Sequence, residues 1–86
     1  MHTKEPAAEK LRPEEFSVVQ FFANDAGYEY VRRFVDGKTA VETALHLSRS
    51  VGARMGFVEK IIITDGGDCT VFEWQHGKGV TFPERV

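Results

Sequence analysis

The alternation of hydrophobic and polar positions between residues 58 and 76 predicts two β-strands joined by a tight turn. Two apolar runs flank the turn sequence Asp65-Gly66-Gly67-Asp68. The adjacent glycines supply, without steric cost, the positive φ angles that a two-residue type I′ loop requires. We therefore place both glycines at the centre of the loop. This register sets Lys60 opposite Glu73, which is a favourable pair of opposite charges.

The same register divides the side chains of this hairpin between two faces of the predicted sheet. Both faces are largely apolar. The first face carries Ile61, Ile63, Phe72 and Trp74, and the second carries Val58, Ile62, Cys69 and Val71. A hairpin with one solvated face would alternate apolar and polar residues more regularly. We therefore expect both faces to be covered.

A second hairpin is predicted earlier in the chain. Residues 16–22 are rich in valine and phenylalanine, which favour a strand, and residues 28–35 form its expected partner. Asn24 to Gly27 has the composition of a turn. Residues 15–26 also allow a helix, because Pro13 and two glutamates are typical of a helix start and Gly27 of a helix end. The aromatic and β-branched content favours the strand.

A single helix is expected between the two hairpins. Thr39 and Glu42 have the spacing of a capping box, in which each side chain hydrogen-bonds to the other residue's backbone amide. Downstream, one broad apolar stripe is formed by Ala40, Val41, Ala44, Leu45, Leu47, Ser48 and Val51. We expect the helix to end at Gly52 or Gly56.

The predicted order ββαββ defines an α+β fold with a mainly antiparallel four-stranded sheet and one helix packed on one face. The segment Val80–Phe82 allows a short fifth edge strand, which Pro83 would end. Residues 1–14 are rich in Lys, Glu, Ala and Pro, and we expect a flexible N-terminal leader there. Residues 15–86 are predicted to form a single domain.

Composition narrows the classes of function. The formal net charge of −2 argues against binding nucleic acid by charge alone. A single cysteine excludes a disulfide framework within the chain, and the sequence lacks the Cys and His spacings of metal sites. No apolar run is long enough to span a membrane, and the N-terminus lacks the apolar core of a secretory signal. We therefore expect a cytoplasmic protein without a metal.

Sequence motifs for catalysis are missing. The chain contains no nucleophile elbow, P-loop or dinucleotide fingerprint, so we expect neither an enzyme nor a cofactor. Thiol or acid–base chemistry remains an alternative that no motif supports. Cys69 is expected to be a small buried hydrophobe. Asp65 and Asp68 are interpreted as turn residues, because two carboxylates are too few for a dedicated cation site.

The apolar second face of the sheet predicts a role in protein–protein contact. Large exposed apolar patches are unusual in monomers, and a symmetric dimer covers such a patch with one self-complementary surface. We expect a homodimer, or contact with another protein, with aromatic anchors at Trp74, Phe72, Tyr30 and Phe34. Alternatively, the leader and the C-terminal segment of the same chain cover this face.

A second hypothesis is single-stranded nucleic-acid binding. Aromatic and basic residues alternate along one predicted strand, at Tyr28, Tyr30, Arg32 and Arg33. Such a strand can stack bases on its rings and hold phosphates with its cations. The acidic net charge argues against this hypothesis, so we rank it below self-association.

Overall fold

The computed structural model describes residues 14–83 of the 86-residue chain. Their elements, in chain order, are β1 (Phe16–Phe22), β2 (Tyr28–Val35), α1 (Gly37–Ser48), α2 (Val51–Arg54), β3 (Val58–Thr64), β4 (Thr70–Gln75) and β5 (Gly79–Phe82). The strands form one antiparallel sheet in the order β2-β1-β3-β4-β5. The predicted α+β class is confirmed, with five strands and two helices. The predicted leader lies outside the described residues, except for Glu14.

Both helices pack against one face of the sheet, and the hydrophobic core lies between them. On the sheet side the largest fully buried side chains are Val18, Ile61 and Ile63. The helices contribute Ala40, Ala44 and Ala53, all fully buried. Alanine side chains are short, so the helix backbones lie close to the strands and the β-branched residues fill the space between them.

The first hairpin is present as predicted, and residues 16–22 form a strand rather than a helix. Its connecting loop uses positive φ angles at Asn24 (60°), Asp25 (58°) and Gly27 (105°). Asn, Asp and Gly are the residue types that tolerate this region of backbone conformation. The loop composition therefore accounts for the reversal of the chain between β1 and β2.

The turn between β3 and β4 differs from the predicted two-residue loop. Asp68, rather than either glycine, has a positive φ angle, of 64°. The Asp65 amide donates to the Cys69 carbonyl at 2.9 Å, so the loop contains three residues, as in a type I turn followed by a left-handed residue. The Asp65 carboxylate accepts hydrogen bonds from the amides of Gly67 (2.9 Å) and Cys69 (3.0 Å). These bonds stabilise a turn that adjacent glycines alone would not select.

The longer loop and the irregular pairing at Val71 each move the strand register by one residue, which gives a total change of two. Lys60 lies opposite Gln75 rather than Glu73, so the predicted charge pair is wrong. A shift of two keeps each side chain on its face, and Ile61, Ile63, Phe72 and Trp74 share the helix-covered face as predicted.

Two residues predicted for the opposite face lie on the helix side because of irregular pairing. The pairing of β3 with β1 shifts next to Val58, which is buried in the helix-side core. Another shift leaves Val71 between two paired positions of β4, where it lines a cleft with Val41 of α1. An extra residue in one strand redirects the neighbouring side chains. Cys69, predicted to be buried, is exposed beside the turn.

The first helix begins three residues before the predicted capping box. Asp36 is the N-cap, with φ −72° and ψ 164°, and its carboxylate accepts from the Thr39 amide at 3.2 Å. Hydrogen bonding by the Thr39 side chain is the main cause that lowers the pKa of Asp36 below its ordinary value of 3.8, while desolvation acts in the opposite direction. An ionised carboxylate is therefore favoured at this helix start.

The single predicted helix is broken at Ser50. The Ser50 hydroxyl donates to the Leu47 carbonyl (2.7 Å) and accepts from the Ala53 amide (3.2 Å), so it closes α1 and caps α2. The break turns Val51 out to solvent, away from the predicted apolar stripe. Within residues 14–83 no helix is long and apolar enough to cross a membrane.

Neighbouring isoleucines on β3 test the division between the two faces. Ile61→Ala should destabilise the fold by about 2–5 kcal/mol, because it leaves a cavity beneath the helices. Ile62→Ala should cost only about 1 kcal/mol, because its half-buried side chain lies on the uncovered side. Urea unfolding of the two variants in dilute solution measures the difference. Equal losses would contradict the assignment of faces.

The Asp36 cap predicts a pH-dependent effect of Asp36→Ala. Since the folded-state pKa is lowered, the carboxylate stabilises the fold fully above 3.8, and its contribution is lost as pH falls through the lower folded-state value. The variant should therefore have a lower urea midpoint than the parent at about pH 6, and the difference should shrink towards about pH 2.5. Lys78→Ala, an exposed change in the turn before β5, is the control and should leave the midpoint almost unchanged.

Candidate interaction surface

The sheet surface opposite the helices carries a cluster of aromatic and charged side chains. We call it the open face, and the strand register assigns to it Val19, Phe21, Tyr28, Tyr30, Lys60, Ile62, Glu73 and Phe82. Directly paired residues in antiparallel strands project to the same side of a sheet, which is why these eight side chains share a surface. No helix of residues 14–83 packs on this side.

Aromatic rings form a continuous group on the β1–β2 side of the open face. The ring centroids of Phe21 and Tyr28 lie 5.7 Å apart, and those of Tyr28 and Tyr30 lie 6.1 Å apart in an edge-to-face arrangement. Both geometries are favourable for aromatic pairs. The rings thus support one another and hold a defined apolar surface in contact with solvent.

Two cations lie over these rings. The guanidinium carbon of Arg33 is 4.2 Å from the Tyr30 ring centroid and 5.6 Å from that of Phe34. The Lys60 ammonium is 4.8 Å from the Phe21 centroid. These distances are within the range of cation–π attraction. One face of the Phe21 ring and one face of the Tyr30 ring are therefore occupied by a cation of the same chain.

Solvent exposure distinguishes a buried base of the open face from the aromatic side chains that project from it. Val19 is only 3% exposed although no helix covers it, because Tyr30 and Ile62 flank it in the neighbouring strands. The larger side chains remain in solvent: Tyr28 is 63% exposed, Tyr30 42% and Phe82 45%. The open face therefore has a packed base and a projecting aromatic layer that is still available for contact.

The predicted interface anchors fall into two pairs. Phe72 and Trp74 are half-buried and pack against the helix-side core. Tyr30 and Phe34 are exposed, and Arg33 joins them by stacking over both rings. The four residues therefore do not form one surface.

The residues named for the nucleic-acid hypothesis are also divided. Tyr28, Tyr30 and Arg33 lie together at the open face. Arg32 pairs with Val18, lines a groove with His46 of α1, and donates to the Val31 carbonyl at 3.2 Å. The side chains of the two neighbouring arginines thus lie on opposite sides of the sheet.

Only Tyr28 and Tyr30 of the open face were among the candidate site residues, and the most informative of those missed are Phe21, Lys60 and Phe82. Phe21 and Lys60 belong to it because β1 and β3 are neighbours, and Phe82 belongs to it because β5 is the far edge strand. Alternation with Val19 could have placed Phe21 on this face. The positions of Lys60 and Phe82 depend on strand order, which local patterning does not reveal.

Outside the open face, the described residues that could act in catalysis or bind a metal do not form a cluster. His76 hydrogen-bonds through Nδ1 to the Ala53 carbonyl at 2.8 Å, which ties the end of β4 to α2. Since a carbonyl oxygen only accepts, Nδ1 carries the proton in this contact. Among residues 14–83, no three His, Cys, Asp or Glu side chains are grouped to hold a metal ion.

Comparisons with protein-family models, with curated proteins and with solved structures found no match for this chain.

Proposed function

We propose that the protein acts by protein–protein contact and forms a homodimer in which the open face of one copy packs on that of the other. The observation that carries this proposal is the exposed aromatic layer over a buried base, on the side of the sheet that the helices leave free. A cytoplasmic location belongs to the same proposal.

The size of the exposed aromatic surface supports an interface. Tyr28, Tyr30, Phe34 and Phe82 leave on the order of 400 Å² of side chain in water, given the area of an aromatic residue. A typical specific interface buries about 800 Å² on each partner. These side chains therefore supply about half of what one partner contributes. Tyr28, Tyr30 and Phe34 lie on β2 and Phe82 lies on β5, and their summed area is comparable with the largest apolar patch of a typical monomer, which is often functional.

Charge on the open face favours a second copy as the partner. Arg33 and Lys60 lie on the β2 and β3 side, and Glu73 lies on β4. A two-fold axis running along β3 places β2 and β1 of one copy over β5 and β4 of the other. This arrangement sets Arg33 near β4 of the other copy, which carries Glu73, and the tyrosines near its β5, while the Lys60 side chains of the two copies approach each other at the axis and turn outwards to solvent in the proposed dimer.

Contact through the open face is favoured over pairing of edge strands. β2 is an edge strand, but its pairing with β1 shifts register twice, and Phe34 has a φ angle of 58°. Bulged and irregular edges resist addition of another strand. The irregularity of β2 thus protects one edge of the sheet. The other edge, β5, has only four residues and is followed by Pro83, which also disfavours strand addition, so the open face is the favoured surface for association.

Light scattering over a concentration series tests whether the chain forms a dimer and whether the open face is the interface. The parent chain should reach twice the chain mass at about 10–100 µM, and the Tyr28→Ser, Tyr30→Ser double variant should dissociate about tenfold more readily or worse. Phe57→Ser is the matched control, because Phe57 is 63% exposed, like Tyr28, but lies between α2 and β3, outside the open face. Circular dichroism should show that all variants remain folded.

A parent chain that stays monomeric throughout this range would contradict the proposal. An equal loss of association in Phe57→Ser and in the tyrosine variant would contradict the open face as the interface.

Single-stranded nucleic-acid binding is a second candidate, favoured by the stacking of Arg33 on Tyr30 beside Tyr28. Its weakness is that Arg33 and Lys60 already cover ring faces on which bases would stack.

If the chain binds nucleic acid here, Arg33→Ala should weaken binding of a labelled single strand about tenfold at about 50 mM salt, and Arg32→Ala should not. Fluorescence anisotropy measures both, and no binding by the parent chain would exclude this function.

A further inference from the structure

A second apolar feature lies on the helix side of the sheet. It is a cleft of about 500 Å³, and its lining consists of Phe16, Gly37, Val41, Ile63, Val71, Phe72 and Pro83. Val41 and Val71 remain 41% and 37% exposed, respectively, although both border the main core. The cleft is therefore an opening in the core where apolar side chains still contact solvent.

The chemistry of the lining indicates the kind of occupant. Pockets for small ligands combine apolar walls with a few polar groups that fix the ligand's orientation. Here every lining side chain is apolar, and Gly37 contributes only backbone. An aliphatic side chain, which needs burial but no hydrogen bond, fits such a lining better than a polar ligand does.

The path of the chain brings one such side chain within reach. Phe16 lines the cleft, and the described residues begin at Glu14, two positions earlier. Leu11 is the only large apolar residue between Met1 and Phe16. Leu11 is three residues from Glu14, and three residues of extended chain span about 10 Å, so Leu11 is tethered close to the cleft that Phe16 lines. A short tether also gives a high effective concentration.

Charge around the cleft supports the same occupant. Asp36 precedes Gly37 of the lining, and Glu15 precedes Phe16. A Cβ placed on Gly66 would lie 3.0 Å from the Glu15 carboxylate, so the turn that carries Asp65 and Asp68 is close by. This end of the molecule is acidic.

Residues 1–13, in contrast, contain three cations and two glutamates, and two of the cations, Lys10 and Arg12, flank Leu11. The basic flanks of Leu11 are therefore complementary to the acidic rim of the cleft.

We propose that the segment Lys10–Arg12 docks on this cleft in the same chain, with the Leu11 side chain inserted between Val41 and Val71. Burial of the leucine then completes the core at the point where it is open. This contact is on the opposite side of the sheet from the open face, so it does not depend on self-association.

NMR on the full chain tests the docking directly. Nuclear Overhauser effects are expected between the Leu11 methyl groups and the rings of Phe16 or Phe72. Leu11→Asp should remove them, shift the Val41 and Val71 methyl signals, and lower the melting temperature by about 5–10 °C. Ala8→Asp introduces the same charge outside the docked residues, and it should leave the melting temperature and the methyl signals unchanged.

Several outcomes would overturn this proposal. One is the absence of contacts from Leu11 together with an unchanged melting temperature in Leu11→Asp. Another is that Val86→Asp, rather than Leu11→Asp, shifts the Val71 methyls, which would assign the cleft to the segment after Pro83. Contacts seen only between differently labelled chains would show that the segment docks on a second copy and would contradict docking in the same chain.

Discussion

Burial of β3 on one side only is the constraint on which the rest of the structure depends. Ile61 and Ile63 pack fully buried against the alanines of α1 and α2. Because side chains alternate along a strand, Lys60 and Ile62 must then project to the opposite side. β1 and β4 pair with β3 and follow the same division, so Phe21 and Glu73 also lie opposite the helices. Because the helices cover one face of the sheet, the remaining side chains form the open face, which combines aromatic and charged residues.

That second surface is stabilised internally but still exposed. Tyr30 and Ile62 shield Val19, while Arg33 stacks over the Tyr30 ring and Lys60 over the Phe21 ring. Cation–π contacts of this kind hold the aromatic layer in place without removing it from water. The layer is thus preorganised, and a partner that buries it would lose little conformational entropy from these side chains. The cleft beside α1 differs because it lacks cations and opens into the core itself.

The periodic features of the fold could be predicted from the sequence, whereas its local irregularities could not. Alternation correctly placed Ile61, Ile63, Phe72 and Trp74 on one face, and β-branched content correctly favoured a strand at residues 16–22. The turn was mispredicted because Asp68 adopts the left-handed conformation while the Asp65 carboxylate organises the loop. At the helix start, Asp36 and Thr39 are both good caps, and local sequence does not rank them. At the open face, the contributions of Lys60 and Phe82 required the strand order, which is a long-range property.

In the proposed dimer, the aromatic rings on β1 and β2 of one copy contact the open face of the other. Isotope-filtered NMR on an equimolar mixture of labelled and unlabelled chains tests it most directly, because it detects only contacts between different molecules. We expect intermolecular contacts from the ring protons of Tyr28 and Tyr30, with partners on the sheet surface around Phe82. Intermolecular contacts confined to the helix side, or none at a concentration where the chain is dimeric, would contradict it.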